Sequence, residues 1–301
     1  MPPLVTTPHR DLDLRGAALV LLLSALWGGN PVALKIGLLD APPFWLGSVR
    51  FILGGLSILA WAWWMRAFAG FKVEPTEWRP LAFLGLLFTA QIGCLNLGTQ
   101  FTTASHSAVL LNAYAVHTVV LAHFLVPGDR LTPRKLGGVL IAYAGIVILF
   151  ASRLGGSGAT LGGDAIVSLS ALLLGERTIY LARAVQRMDP TKLLLAQALV
   201  GAAGLGALSL WLEAADPHRW TLSLGISLFY QGVVVAGFNF IVNLWLLKHY
   251  RPSALAGFFL TSPIFGVLLS NLFTGEPLTA LLLLSSLLVA MGIGLTTRPA
   301  D

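Results

Sequence analysis

The chain has 301 residues, of which 56% are apolar and only 11% charged, with a formal net charge of +6. Soluble domains carry about a quarter charged residues, so this composition, with a mean hydropathy of +0.81, excludes them and points to an integral membrane protein. A single cysteine, Cys94, excludes an internal disulfide framework.

Residues 1–15 are polar and broken by Pro2, Pro3 and Pro8, so they read as a lead outside the membrane. The apolar run that follows carries Asn30 and Lys35 and lacks a small-residue cleavage site, so it is expected to remain as a span and not to act as a signal peptide. Ten spans are predicted at about 16–37, 43–65, 80–101, 104–126, 134–151, 162–184, 191–212, 221–247, 253–273 and 278–297. Crossing a hydrocarbon core of about 30 Å takes about 20 apolar residues of helix, which these windows supply.

The second half repeats the first at a constant offset of 147 residues, carrying Gly28 to Gly175, Pro43 to Pro190, Trp64 to Trp211, Asn96 to Asn243 and Gly145 to Gly292. Gly128-Asp129-Arg130-Leu131-Thr132 likewise falls on Gly275-Glu276-Pro277-Leu278-Thr279. Matched Gly, Pro, Trp and Asn indicate duplication more strongly than matched Leu. The expected organisation is a lead at 1–15, a first repeat at 16–151, a glycine-rich linker at 152–162, a second repeat at 163–297 and a tail at 298–301. The linker has no Lys-Ser/Thr after its glycines, so it is no phosphate loop. Five spans per copy make the second copy enter the membrane from the opposite side. The fold class is therefore an all-α membrane protein of ten transmembrane helices in two inverted five-helix repeats, the arrangement in which secondary transporters hold substrate near the midplane.

Basic residues are strongly one-sided. Only Lys35, Arg153 and Arg219 fall in loops opposite the N-terminus, and Arg50 and Arg177 fall inside spans. The other fourteen of the nineteen lie in the lead, loops and tail on the N-terminal side, so both termini are expected to be cytoplasmic. The positive charge is thereby a topology signal, and no nucleic-acid partner is expected.

Polar residues inside spans are costly in lipid and mark an interior cavity or helix contacts. In the first span, Trp27-Gly28-Gly29-Asn30-Pro31 reads as a packing kink or as a gating bend, with Trp27 and Asn30 on the cavity and Gly28, Gly29 and Pro31 as hinges. Gln91 is a candidate for the third span, whereas Asn96 and its mate Asn243 fit interhelical hydrogen bonds. In the fourth span Tyr114 and His117 face the midplane, His117 either as a satisfied core histidine or as a ligand or proton site. His106 and His117 are too far apart along the helix to share a metal ion. Glu176 is the carboxylate firmly inside the membrane, either paired with Arg50 or Arg177 or serving substrate or protons, and Tyr180 shares its face. Gln231 and Asn239 supply hydrogen-bonding groups in the eighth span, and Pro263 breaks the ninth. Motifs for ATP hydrolysis, zinc hydrolysis and a nucleophile elbow are absent, so neither an enzyme nor a cofactor or metal is expected.

The ten-span inverted repeat, Trp27 with its small-residue stretch, Lys35, and the Gly-Asp/Glu-x-Leu-Thr blocks together resemble the drug/metabolite transporter superfamily, in its EamA-type branch. Within it the chain is similar to bacterial exporters of aromatic amino acids and methyl viologen. The resemblance implies a basket with a cavity walled by helices 1, 3, 4, 6, 8 and 9, and helices 5 and 10 at the periphery. It also implies export of amino acids, aromatic or other neutral, and related metabolites across the bacterial inner membrane by alternating access, with protons as a candidate coupling ion. Carriers of sugar phosphates, nucleotide sugars or drug-like cations are the rival reading, and a membrane-embedded lipid enzyme a remote one. The chain departs from the family at Asp129, where it has Glu, and at Val116, where it has a helix-bending proline.

Overall fold

The computed structural model describes residues 13–65, 72–125, 131–151, 158–185, 187–250, 258–259 and 261–297. The first span is two helices, α1 (Leu14–Gly28) and α2 (Asn30–Gly37), followed by α3 (Pro43–Trp64) and α4 (Trp78–Phe101). The fourth span is also split, into α5 (Ala104–Asn112) and α6 (Tyr114–Leu125), and α7 (Pro133–Ala151) completes the first copy. The second copy holds α8 (Gly158–Ala184), α9 (Pro190–Leu212), α10 (Leu222–Phe229), a π-helical segment π1 (Tyr230–Asn239) and α11 (Phe240–His249). It ends with α12 (Ser262–Thr274) and α13 (Ala280–Thr297). Eight of the resulting spans are long and apolar enough to cross a membrane, and Ser262–Thr274 and Ala280–Thr296 are shorter apolar helices.

Local chemistry fixes the helix starts. Asp13, Thr103, Asp189 and Thr221 each accept from a backbone amide in the first turn of the helix they precede. Prolines occupy the first turns of α2, α3, α9 and α12, where the missing N–H costs nothing. Gly275 ends α12 at φ 69°, a left-handed conformation that glycine adopts without strain.

The inverted repeat is visible in the contacts. Helices α7 and α13 pair along their length and run antiparallel: a Cβ at Gly138 would lie 2.7 Å from the Gly292 carbonyl oxygen, and one at Gly145 2.9 Å from that of Ser285. The offset carries Gly138 to Ser285 and Gly145 to Gly292, so each contact is the image of the other. In the same way Gly85 meets Val200 as Gly232 meets Leu53. The remaining spans form a ring in which α4 packs on α8, α8 on α6, α5 on α12, α12 on α1 and α2, and these on α10 and π1, with the α3–α9 pair closing it. The peripheral place of α7 and α13 follows from their packing chiefly on one another.

Three features differ from expectation. The fourth span breaks at Ala113 although Val116 stands where the resemblance places a bending proline, because the Ala113 and Val116 amides turn to the carbonyls three residues back, of Leu110 (3.1 Å) and Ala113 (3.0 Å). Residues 158–162, expected in the linker, are the first turns of α8, since nothing in Gly-Ala-Thr-Leu-Gly stops a helix from forming. The eighth span carries a π segment that apolar periodicity does not signal. The block Gly128-Asp129-Arg130 and linker residues Gly155–Ser157 lie outside the described residues.

Candidate functional site

The face at which the chain begins is called the near face and the other the far face. On the far face, Lys35 at the end of the first span donates Nζ hydrogen bonds to the carbonyls of Thr99 and Gln100, both at 3.0 Å, and of Thr102. It thereby satisfies the terminal carbonyls of α4 and places a cation at the negative end of the helix dipole. Across from it, Glu276 accepts from the amides of Ala104 (2.7 Å) and Ser105 (2.9 Å), at the start of α5, and from the Ser105 hydroxyl. Burial pushes the Glu276 carboxyl up, but the hydrogen bonds from Ser105, Ser270 and the α5 amides more than offset this and hold it below the usual range. Buried Asp164 of α8 accepts from His106 Nδ1 at 2.8 Å and from the Thr102 hydroxyl. Spans 1, 3, 4, 6 and 9 are thus joined at one end.

The same face joins spans 1 and 2 to spans 7 and 8. Glu213 accepts from the amides of Phe44 (2.8 Å) and Trp45 (2.9 Å), and Asp40 from the hydroxyls of Thr221 (2.6 Å) and Ser223 (2.9 Å). The hydroxyls of Thr221 and Ser223, with Arg219 nearby, lower the Asp40 carboxyl.

Spans 3, 4 and 6 also meet at the near face. A cavity of about 770 Å³ opens there, lined by Pro80, Leu125, Tyr180, Arg183, Ala184, Arg187 and Met188. Elsewhere on this face Lys192 pairs with Glu77 at 2.9 Å, and Tyr250 donates to Asp13 at 2.8 Å.

In the bundle interior two arginines stand without acids. Arg50, 4% exposed, donates from Nη1 to Gln231 Oε1 at 3.3 Å, and its guanidinium lies 4.9 Å from the Phe51 ring centre. Arg177 lies 4.8 Å over Phe88, whose ring meets Phe51 edge-on at 4.6 Å. Arg50 Nε and Arg177 Nε and Nη1 have no hydrogen-bond partner. Each arginine in a membrane interior costs about 2.5–3.5 kcal/mol on insertion scales, which makes this pair a functional candidate.

The sequence-selected residues separate accordingly. Gln231 and Tyr114 belong to this interior group, Tyr114 lying within electrostatic reach of Arg177. Asn30, at the position that the repeat pairs with Arg177, is buried with Oδ1 unpartnered. Tyr180 lines the near-face cavity and donates to the Pro80 carbonyl at 3.3 Å. Three others make contacts between helices, though Gln91 Oε1 and Asn239 Oδ1 are buried without a partner. Trp27 lies 5.1 Å from Phe259 and 6.2 Å from Phe240, Gln91 donates to Ser170 at 3.0 Å, and Asn239 donates to the Leu23 carbonyl at 3.3 Å. His117 packs 5.7 Å from Tyr143 of α7 with Nδ1 unpartnered.

Glu176 is exposed, on the stripe of α8 that carries exposed Leu169 and Leu172 and, further along, Tyr180 and Arg183 of the near-face cavity, and among the described residues it pairs with neither arginine. The turn of α8 that points Arg177 at Phe88 carries its neighbour about 100° around the axis, away from the interior. Glu176→Gln is accordingly expected to leave stability within about 0.5 kcal/mol of the parent, checked by the thermal unfolding midpoint in detergent.

The hinge candidates sit at real breaks. Gly29 separates α1 from α2, with Pro31 in the first turn after it, and the Leu26 carbonyl just before the break accepts from Tyr230 of π1 at 2.7 Å. A Cβ at Gly28 would lie 2.5 Å from the Ser262 carbonyl oxygen, beside Pro263 at the start of α12. Asp164 and the capping role of Glu276 escaped sequence reasoning, since their partners are 58 and 171 residues or more away. The one available signal for Glu276 was its place in the repeated Gly-acid block.

The EamA-like transporter family matches the chain twice, over residues 14–151 and 161–298. An uncharacterized transporter of Archaeoglobus fulgidus is 25% identical over 288 residues, covering 93% of this chain and 96% of its own length. A probable amino-acid metabolite efflux pump of Salmonella typhimurium is 26% identical over 288 residues, covering 91% and 92%. Its Escherichia coli namesake is 25% identical over 292 residues, covering 93% of each. A solved crystal structure shares the fold with a TM-score of 0.67 at 19% identity, covering 94% of this chain and 96% of that one. With one match in each inverted half, the chain belongs to the EamA-like transporter family of the drug/metabolite transporter superfamily.

Proposed function

We propose that the protein is a secondary transporter that exports amino acids and related small metabolites across the bacterial inner membrane by alternating access, with its termini cytoplasmic. The observation that carries this reading is the one-sided closure: the far face is stitched by Lys35, Asp164 and Glu276, whereas the near face opens into a cavity between spans 3, 4 and 6. An inward-facing exporter waiting for cytoplasmic solute has this form, and the breaks at Gly29 and Ala113 and before Pro263 give each half a place to bend. The efflux pumps of Salmonella typhimurium and Escherichia coli, at about a quarter identity, support the substrate class. Purified protein in liposomes is expected to give counterflow of at least one radiolabelled amino acid or amino-acid-derived acid from a panel, with and without a pH gradient. Absence of flux for the whole panel overturns the proposal.

A further inference from the structure

The geometry points to a carboxylate-binding site in the bundle interior, built by Arg50 and Arg177 around the Phe51–Phe88 pair, which selects small organic carboxylates of net negative charge. This inference rests on the transport reading and narrows it.

Arg50 and Arg177 come from different spans, and Arg177 lies close enough for its charge to act on Arg50. Like charges do not gather in a low-dielectric interior without something to offset them. Among the described residues the ion pairs are His106–Asp164, Lys192–Glu77 and Arg219–Asp40, and none involves either arginine. The nearest acid in sequence, Glu176, is exposed. The interior thus lacks its own counter-charge.

The free donors have the form of a receptor. Three guanidinium N–H-bearing atoms, Arg50 Nε and Arg177 Nε and Nη1, are buried without an acceptor. A guanidinium's parallel N–H groups match the two oxygens of a carboxylate, which an ammonium cannot reproduce. On Arg177 the unpartnered Nε and Nη1 lie on different edges of the guanidinium, so they are two separate donors to an anion's oxygens. Gln231 is already engaged at both ends, accepting from Arg50 and donating to Ser227 at 2.8 Å, so it steadies Arg50 and leaves that residue's Nε free. The edge-to-face rings of Phe51 and Phe88 link the two guanidiniums and are themselves buried, so the free donors sit in an apolar surround.

The arrangement is also particular to this interior and not a by-product of the repeat. The offset pairs Arg50 with Gln197 and Arg177 with Asn30, so no second cationic pair exists. A zwitterionic amino acid would satisfy one guanidinium but bring its ammonium beside the other, with no carboxylate to receive it. A net-anionic carboxylate meets both charges.

The test uses the full-length protein in detergent, with unfolding followed by tryptophan fluorescence at constant ionic strength. The probes are phenylpyruvate, succinate, phenylalanine, phenylalaninamide and inorganic phosphate. Phenylpyruvate or succinate is expected to raise the unfolding midpoint in a saturable way, and phenylalaninamide to leave it unchanged. Arg177→Gln is expected to weaken that binding by about tenfold or more, the loss of one cation and its charge-assisted hydrogen bonds, and Arg177→Lys by less. Equal protection by phosphate, or by phenylalaninamide, overturns the carboxylate assignment. So does an Arg177→Gln protein that is folded and binds the carboxylates as the parent does, since the arginines would then be packing elements. Liposome counterflow separates the two proposals: phenylalanine flux untouched by Arg177→Gln would defeat the anion site and leave export standing, whereas no flux of any probe would defeat export itself.

Discussion

Glu276→Ala is expected to release the far face. The carboxylate holds two backbone amides and a hydroxyl of α5 from the loop after α12, so its loss removes charge-assisted hydrogen bonds between spans 4 and 9. Such bonds contribute about 1.5–3 kcal/mol each, and water can replace part of what is lost at this half-buried site, which leaves about 2 kcal/mol against the far-closed form. That corresponds to a shift of about thirtyfold toward far-side opening. A reporter at Ser107, which is buried on the Thr99 hydroxyl at 3.0 Å, reads it: with Cys94 replaced by serine and Ser107→Cys introduced, labelling by an impermeant maleimide should accelerate about tenfold or more in Glu276→Ala. An unchanged labelling rate would show that the carboxylate does not hold this face. The pH window follows from the direction of the shift. A carboxyl lowered in the folded protein contributes fully above its unfolded value of about 4.3 and loses that contribution as pH falls through its lower folded value. The latch should therefore be constant from pH 5 to 8, and any pH dependence of far-face labelling in that range must arise elsewhere.

The second large effect is at Gly28. A Cβ there would meet the Ser262 carbonyl oxygen at 2.5 Å and the Gly266 amide nitrogen at 2.9 Å, both backbone atoms that no rotamer change can move. Gly28→Ala should consequently force spans 1 and 9 apart and cost about 3 kcal/mol, the upper end of overpacking. Gly28→Leu should yield no monodisperse protein by size-exclusion chromatography. Gly225→Ala supplies the contrast. Nothing lies within 4 Å of its added methyl, and alanine is the better helix former by about 0.5–1 kcal/mol. The unfolding midpoint should fall for Gly28→Ala and rise for Gly225→Ala. Equal changes in both would mean that the crossing of α1 and α12 is not close-packed.

Much of the architecture was legible because membrane spans and their duplication are written in composition and spacing. Matched glycines at one offset turned out to be the points where helices cross, as Gly145 and Gly292 illustrate. What sequence could not reach was direction within a turn. Glu176 and Arg177 are neighbours in the chain, and only the packing of α8 on α4 decides which of them points inward. Likewise a proline was the expected sign of a bend, yet Ala113 bends the fourth span through amides that turn to a nearer carbonyl. Gln91 and Asn239, polar groups at membrane depth, each make an interhelical hydrogen bond and keep a buried oxygen without a partner. Distinguishing a clamp from a ligand contact requires its partner, which periodicity does not supply. The π register that brings Tyr230 to the Leu26 carbonyl has no marker in hydropathy at all.

The far-face latch has one more consequence when set against the duplication. The offset of 147 carries Lys35 to Ala182 and Asp164 to Ala17. At those near-face positions a methyl group stands where the far face has an ammonium or a carboxylate. Glu276, by contrast, keeps an acid at its partner position, Asp129, so of the three far-face closing groups the duplication retains one and lacks two, Lys35 and Asp164, in the other half. In the export cycle proposed above, a protein that rests with its far face closed needs bound solute to supply the difference in free energy before the near face can close. Such a bias sets which side the protein waits on; net movement still needs a gradient.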